Sequence, residues 1–214
     1  MRLLISLILV LCTFISFSQN IKDLNGLKQG VWEVRYDNGS IRYEGVFKDD
    51  IEQGIFRFYY MSGQLQATKA FSLQGQVART HIYYKNGNIR ASGVYVNKLK
   101  DSVWNYFNID NILIRSEEYK NGILNGEART YYETGELFII QKWVDGLEHG
   151  DFIKYFIDKE VHIKKSYHKG LLHGDYMNYD PEGNIVVTGK YLFGEKVGEW
   201  RYYSNNVLDT VIYE

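Results

Sequence analysis

A period of 24 residues runs from Gly30 to Gly198 without an insertion or deletion. Each unit opens on a small residue, has an aliphatic residue eleven positions later and an aromatic residue seventeen positions later. The opening positions are Gly30, Gly54, Ala78, Ser102, Gly126, Gly150, Gly174 and Gly198. The aliphatic positions are Ile41, Leu65, Ile89, Leu113, Leu137, Val161 and Ile185, and the aromatic ones are Phe47, Phe71, Tyr95, Tyr119, Trp143, Tyr167 and Tyr191. So strict a repeat predicts an array of like supersecondary units, seven complete and an eighth partial.

Each unit has the pattern of a β-hairpin. Two runs rich in Tyr, Phe, Ile and Val flank a short polar turn, and Asn-Gly favours a tight turn in which both residues have positive φ. The predicted turns are Asn38-Gly39, Ser62-Gly63, Asn86-Gly87, Asp110-Asn111, Thr134-Gly135, Asp158-Lys159 and Glu182-Gly183. Asp158-Lys159 fits this turn least well, so we expect the sixth turn to be wider or bulged.

A two-residue turn fixes the register of each hairpin. It places Tyr36 opposite Ile41, Trp32 opposite Gly45 and Gly30 opposite Phe47, so that large rings lie over bare glycine backbone. The corresponding pairs in later units are Thr80 with Gly93 and Tyr176 with Gly189. A one-residue bulge would invert the side-chain parity and contradict this register.

A second aromatic column has the opposite parity and predicts a belt on the other face. We call it the tyrosine belt: Tyr59, Tyr83, Phe107, Tyr131, Tyr155, Tyr179 and Tyr203, with Arg35 at the same position of the first unit. Tyrosine combines a rigid ring with a hydrogen-bonding tip, which suits protein and glycan surfaces. The belt is therefore the candidate binding surface, with packing as its alternative role. The fully aromatic face is favoured as the packed one.

Together these patterns predict an all-β fold, an elongated, twisted, single-layer antiparallel sheet of stacked hairpins. At the usual strand spacing the array would be about 70–75 Å long. A parallel β-solenoid with a 24-residue coil is the structural alternative. The units between Gly54 and Asn125 lose glycines at Gln74, Ala78, Lys98, Ser102 and Asn111, so a specialised region is expected there.

The N-terminus resembles a secretory signal peptide. Arg2 precedes the apolar run Leu3 to Phe17, and small residues at Ser16 and Ser18 favour cleavage before Gln19. A retained anchor is the alternative, and Leu11 before Cys12 argues against a lipoprotein. We predict a signal peptide at 1–18, a lead-in at 19–29 and the repeat array at 30–214. The protein would then be exported and periplasmic, envelope-associated or secreted.

The sequence offers little for catalysis or for a cofactor. His149 and His173 occupy equivalent positions, but two histidines make a poor metal site. Ser166 and Lys169 match a Ser-x-x-Lys pattern, whose chemistry requires a helix, whereas this segment is a predicted strand. With 25 Lys and Arg against 26 Asp and Glu, the chain lacks the basic excess of a nucleic-acid binder. We therefore expect no enzyme, no cofactor, no metal and no nucleic-acid partner.

The units resemble the MORN-repeat variant of YwqK-type antitoxin components. The resemblance rests on the segments Gly198-Glu-Trp200-Arg-Tyr202-Tyr203 and Trp143-Val-Asp-Gly146-Leu-Glu-His149-Gly150, and it extends from Gly30 to the C-terminus. It implies an elongated sheet of successive hairpins, often curved with a groove. The antitoxin name would imply a paired toxin, whereas an export signal suits an exported immunity protein better.

These observations favour an exported, non-catalytic repeat protein that acts as a protein-binding or scaffold module at the cell envelope or outside the cell. An antitoxin-like or immunity protein is the first alternative, and a module that binds envelope glycan or lipid is the second. Another protein is thus the expected partner, with a glycan or membrane surface as the alternative.

Overall fold

The computed structural model describes residues 19–204 and 207–214. Across these residues the chain is all-β, with eighteen strands in one open antiparallel sheet. The predicted signal peptide at 1–18 lies outside the described residues. Within the described part of the chain, no helix has the length and apolar character needed to cross a bilayer.

The strands follow one another across the sheet in chain order. Each pairs with the next, except that β13 pairs with both β14 and β15 because the strand is interrupted at His173. The strands are β1 Ile21–Lys22, β2 Lys28–Arg35, β3 Ile41–Lys48, β4 Ile51–Tyr59, β5 Leu65–Ser72, β6 Val77–Tyr83, β7 Ile89–Val96, β8 Leu99–Phe107, β9 Leu113–Lys120, β10 Ile123–Tyr131, β11 Leu137–Val144, β12 Leu147–Tyr155, β13 Val161–His168, β14 Leu171–Leu172, β15 Gly174–Tyr179, β16 Ile185–Leu192, β17 Glu195–Ser204 and β18 Val207–Tyr213. The predicted sheet of consecutive hairpins is confirmed, and the parallel solenoid is wrong.

The predicted register is confirmed through the body of the hairpins. Gly30 pairs with Phe47 and Trp32 with Gly45. The same pairing recurs for Thr80 with Gly93 and for Tyr176 with Gly189.

Next to the turn the predicted register is wrong, because Ile41 lies opposite Arg35 rather than Tyr36. The loop has three residues, closed by hydrogen bonds from Gly39 N to Tyr36 O (2.9 Å) and from Tyr36 N to Ser40 O (2.9 Å). The pairing then shifts by one residue between Val34 and Arg35. The extra loop residue and this bulge cancel, so the side-chain parity of the strands is preserved.

Only the last residue of each of these loops has positive φ, in contrast to the predicted turn with two such residues. It is glycine in five units, while Asn111 (φ 65°) and Lys159 (φ 77°) take the same conformation. The sixth loop has the same two hydrogen bonds as the others, with Lys159 N donating to Phe156 O. The sixth loop is therefore no wider than its neighbours, and its hairpin has the same bulge as theirs, between Lys154 and Tyr155.

The turns with two positive φ values connect one unit to the next. Asp49 and Asp50 (φ 54° and 63°) join β3 to β4, and Lys48 pairs directly with Ile51. The amide of Asp50 also donates to the carbonyl of Lys28 in the previous hairpin, at 3.2 Å. This turn therefore ties neighbouring units together. Equivalent turns lie at Asn97-Lys98, Asn121-Gly122, Asp145-Gly146, Lys169-Gly170 and Phe193-Gly194.

In most units the small residue that opens the unit lies in a bulge, as Gly54 and Ser102 do. Gly54 has a φ of 65°, and the register between β3 and β4 shifts by two residues between Glu44 and Val46. Between β5 and β6 the register is continuous, and the connecting loop is longer, with Ser72 pairing with Val77. Two residues have thus moved from the bulge at Ala78 into the loop before it, while the 24-residue spacing from Gly54 to Ala78 is unchanged.

The most buried side chains all lie on one face, which we call the ring face. Phe47, Phe56, Trp104 and Trp200 are almost fully buried there, together with Thr80. The rings of Phe47 and Phe56 meet edge to face with centroids 5.0 Å apart, and Tyr191 and Trp200 do the same. This ladder of rings is the core of the sheet, as the aromatic columns predicted.

Candidate ligand-binding groove

The tyrosine belt lies on the opposite face, at the strand end beside each loop. Its members pair across the hairpin with the aliphatic column, for example Tyr59 with Leu65 and Tyr155 with Val161. The first six belt residues are half-buried, and Tyr203 is the most exposed at 38%. The parity predicted for the belt therefore agrees with the structure, while its role in binding stays a prediction.

Several belt hydroxyls have partners within the sheet. Tyr59 donates to Glu44 Oε1 at 2.7 Å, and Tyr179 donates to Met177 Sδ at 3.0 Å. Burial, and then the hydrogen bond to Glu44, raise the pKa of Tyr59, so its phenol remains a protonated donor. These contacts give the belt a packing role.

A neighbouring tyrosine column was missed by sequence reasoning. The hydroxyls of Tyr36, Tyr60, Tyr84 and Tyr132 each donate to a backbone carbonyl of the next unit, at 2.8 to 2.9 Å. The acceptor is the carbonyl of the next belt residue, Tyr59, Tyr83, Phe107 or Tyr155. The same 24-residue period that reveals the belt contains this column, one position later.

The ring face carries lysines as well as rings. Lys28 Nζ lies 4.6 Å from the Phe47 ring centroid, and Lys196 Nζ lies 4.3 Å from that of Trp200. Lys100 and Lys165 lie similarly over rings of their own hairpins. An ammonium above an aromatic ring is attracted by the negative face of the ring. The ring face therefore presents positive charge over an apolar floor.

Two adjoining cavities on this face form a groove across β2 to β7. The first, of about 420 Å³, has a floor of Phe47, Phe56, Phe58 and Phe71 with Tyr43 beside it. The second, of about 390 Å³, continues past Ala78 towards Tyr95. Glu52, Lys69 and Phe71 line both cavities, so the two are continuous. Lys28 and Asp50 stand at one end of this ring-face groove and Lys98 at the other.

Lys69 occupies the centre of the groove. Its Nζ lies 5.7 Å from the Phe58 ring centroid and 5.0 Å from that of Tyr95. Burial lowers the pKa of Lys69, and the negative charge of Glu52 opposes part of that change. The five ion pairs within the described part of the chain do not include Lys69. Lys69 occupies the position of the repeat that Gly45 occupies in the first unit, and sequence reasoning did not select it as a binding residue.

Beyond the groove, the fourth hairpin, β8 and β9, holds a buried polar network. Glu117 is 4% exposed, pairs with Arg115 at 2.5 Å and accepts a hydrogen bond from the Tyr119 hydroxyl at 2.7 Å. Lys100 Nζ donates to the Tyr106 hydroxyl at 2.6 Å. Burial raises the pKa of Tyr106 and lowers that of Lys100. These groups pair with one another, and we see a stabilising network in them rather than a reactive one.

The predicted histidine pair is part of a larger cluster. His168 lies between His149 and His173, with ring centroids 5.1 and 5.7 Å away, and Phe193 packs 4.9 Å from His173. Within residues 19–204 and 207–214, no group of three or more His, Cys, Asp or Glu side chains is arranged to hold a metal ion. Ser166 and Lys169 lie at the end of β13 and in the following turn, and the Ser166 hydroxyl donates to the His173 carbonyl.

Comparison with known proteins identifies single units of the array. Residues 28–49 and 124–145 match the family model described as the MORN repeat variant. Both segments begin two residues before a unit opens and cover a complete hairpin, β2–β3 and β10–β11. No curated protein matches the chain. The antitoxin name suggested by the resemblance stays a prediction, and the matched segments show that the chain is a repeat protein containing MORN-variant hairpins.

Proposed function

We propose that this chain is an exported, non-catalytic binding protein whose elongated sheet holds another protein. The observation that supports this most directly is the ring-face groove, where the half-buried rings of Tyr43, Phe58 and Phe71 lie beside lysine and carboxylate side chains. Protein interfaces are enriched in aromatic residues, and their most important contacts fill pockets of this kind. The MORN-variant hairpins are in keeping with a binding role. The absence of a catalytic motif in the sequence supports the non-catalytic part of the proposal.

Export is the second part of the proposal and rests on the sequence of residues 1–18. Cell fractionation of the native host should recover the protein outside the cytoplasm. N-terminal sequencing of that material should begin at Gln19. Recovery of the complete chain, starting at Met1, in the cytoplasmic fraction would contradict the prediction of export and would leave the proposed binding role unaffected.

Co-purification from the native cell envelope, followed by mass spectrometry, tests the binding role. Two variants distinguish the faces: Phe58→Ala with Tyr43→Ala in the groove, and Tyr131→Ala, Tyr155→Ala and Tyr179→Ala together in the belt. We expect wild type to capture a defined protein and the groove variant to lose it. Circular dichroism and thermal unfolding establish that both variants are folded. Loss of capture in the belt variant alone would place the partner on the belt face, and capture of nothing by wild type would contradict the proposal.

A further inference from the structure

We infer that the ring-face groove binds an extended peptide segment of the partner in which a carboxylate lies next to a large apolar side chain, with Lys69 as the carboxylate-binding residue. The inference rests on the proposed function and specifies the chemistry of its partner. It is carried by the shape of the groove, the kind of rings that line it and the position of one cation between its two halves.

The first argument is the apolar character of the floor. Four phenylalanines, which offer no hydrogen-bonding tip, line the first cavity. Its volume of about 420 Å³ is large enough for an aliphatic or aromatic side chain and lies in the range of ligand pockets. Phe58 and Phe71 remain half-buried over the buried rings of Phe47 and Phe56, so they offer an apolar anchor of the ligand a surface on which to pack.

The second argument is the position of Lys69. It lies between the two cavities, over Phe58 on one side and Tyr95 on the other. The half-buried Lys69 ammonium has lost part of its hydration, and the nearby negative charge of Glu52 compensates for this only in part. A ligand carboxylate would supply a direct ion pair, and partial desolvation would strengthen the resulting hydrogen bond. The lowered pKa of Lys69 is consistent with this environment.

The third argument concerns the charges at the rim. Lys28 and Lys98 stand at the ends of the groove, but Asp50 and Glu52 share its wall. A uniformly anionic surface such as an acidic membrane would meet these two carboxylates as well as the lysines. A peptide that carries one carboxylate beside apolar side chains avoids that repulsion.

The fourth argument is that the groove lies where the repeat is irregular. In the unit that opens on Ala78, the bulge is absent and Thr80 replaces the large aromatic residue found at this position in six units. The loop Leu73–Gln76 is longer for the same reason, and Gly75 and Gln76 line the second cavity. The second cavity therefore lies beside Lys69 at the point where the longer loop replaces the bulge.

Lys165 provides a matched control because it occupies the same position of the repeat, four units later. Its Nζ lies over Phe152 and Tyr167, at 4.4 and 5.1 Å from the ring centroids, and it lies outside the groove. Lys69→Met and Lys165→Met each remove one positive charge and keep a flexible apolar stem. They change the net charge of the protein equally and differ only in location.

The experiment uses the purified protein with residues 19–214 and an array of synthetic ten-residue peptides. One set carries Asp or Glu next to Leu, Ile, Phe or Trp, and a matched set carries Asn or Gln in place of the acid. We expect wild type and Lys165→Met to prefer the acidic set by about tenfold in fluorescence polarisation, as a charge-assisted hydrogen bond predicts. Lys69→Met should lose that preference and keep its weak binding to the amide set.

Three outcomes would overturn the inference: no preference for the acidic peptides, equal loss in both lysine variants, or stronger binding to vesicles of anionic phospholipid than to any peptide. Co-purification with Lys69→Met separates this inference from the proposed function. If this variant still captures the envelope partner as wild type does, the binding role stands and the groove inference falls. If wild type captures no protein from the envelope but still prefers acidic peptides, the groove chemistry stands and the proposed protein partner falls.

Discussion

The indole ring of Trp200 covers the backbone of Gly189, so a methyl group on that glycine would overlap the ring. The two residues belong to neighbouring strands of different units, β16 and β17. Gly45 and Gly93 are covered in the same way by Phe56 and Trp104. Each of these glycines therefore lies under a ring of the following unit, and the contact joins two units rather than the two strands of one hairpin.

We predict that Gly189→Ala destabilises the protein by about 1–3 kcal/mol, because the new side chain forces the indole ring out of its packed position. Urea unfolding followed by tryptophan fluorescence measures the change. Lys165→Ala is the control. Lys165 occupies the same position of the repeat as Gly189 and already carries a side chain, so this substitution should lower the free energy of unfolding by clearly less. Equal costs for the two substitutions would contradict the ring contact.

We predict that Tyr60→Phe weakens the coupling between units. The substitution removes the hydrogen bond from the Tyr60 hydroxyl to the Tyr83 carbonyl (2.8 Å) and keeps the ring, at a cost of about 1 kcal/mol in the free energy of unfolding. The sixth unit allows the reverse change, because Phe156 occupies the equivalent position. Phe156→Tyr should stabilise the protein if its new hydroxyl reaches the Tyr179 carbonyl. Unchanged urea midpoints for both variants would contradict a stabilising role for these hydrogen bonds between units.

We predict that Lys159→Gly stabilises the protein by up to about 1 kcal/mol. Lys159 holds a left-handed backbone conformation that glycine adopts without strain, and this relief exceeds the entropy that glycine adds to the unfolded chain. Asn111→Gly should gain less, because asparagine tolerates this conformation. Differential scanning calorimetry of the two variants compares the gains directly. A lower melting temperature for Lys159→Gly would show that the Lys159 side chain stabilises the protein by more than its left-handed backbone destabilises it.

We predict that the histidine cluster makes the C-terminal units less stable as the pH decreases. Burial, followed by the nearby charges of His149, Lys169 and His173, lowers the pKa of His168. As the pH falls through about 6.5, the unfolded chain takes up a proton that the folded chain resists, so the stability present at higher pH decreases. His168→Gln should therefore lose less stability than wild type between about pH 7.5 and pH 5.5 in urea unfolding. Equal pH dependence in the two proteins would rule out His168 as its source. His162, whose pKa burial and Lys154 also lower, accounts for a residual pH dependence in the variant.

The sequence was sufficient to predict the strands, the side-chain parity and most of the register. This succeeded because small residues and aromatic residues recur at fixed positions, and parity constrains every residue of a strand at once. The loop beside Gly39 was mispredicted because Asn-Gly suits both the two-residue turn and the three-residue loop with a left-handed glycine. The compensating shift between Val34 and Arg35 depends on backbone geometry that no side-chain pattern shows.

The candidate site was less predictable than the fold. Sequence reasoning selected the tyrosine belt, since tyrosine is a frequent binding residue, but contacts such as Tyr59 to Glu44 became visible only in three dimensions. The groove around Lys69 depends on two residues moving from a bulge into a loop, which leaves the repeat length unchanged. The sequence marked the units around Gln74 and Ala78 as irregular, and Ala78 lines the second cavity. A specialised role for these units stays a prediction, and no sequence pattern indicated on which face of the sheet the groove would lie.

The exchange of a bulge for a longer loop has a consequence for engineering and for evolution. Because the segment 54–101, which contains Lys69, the longer loop and Ala78, keeps the length of two standard units, it can be copied, moved or replaced as a cassette without shifting any strand outside it. A second copy placed elsewhere in the array would be expected to open a second groove, and two regular units put in its place would be expected to close the existing one. A chain built in this way can gain or lose a recognition site by recombination between its own units.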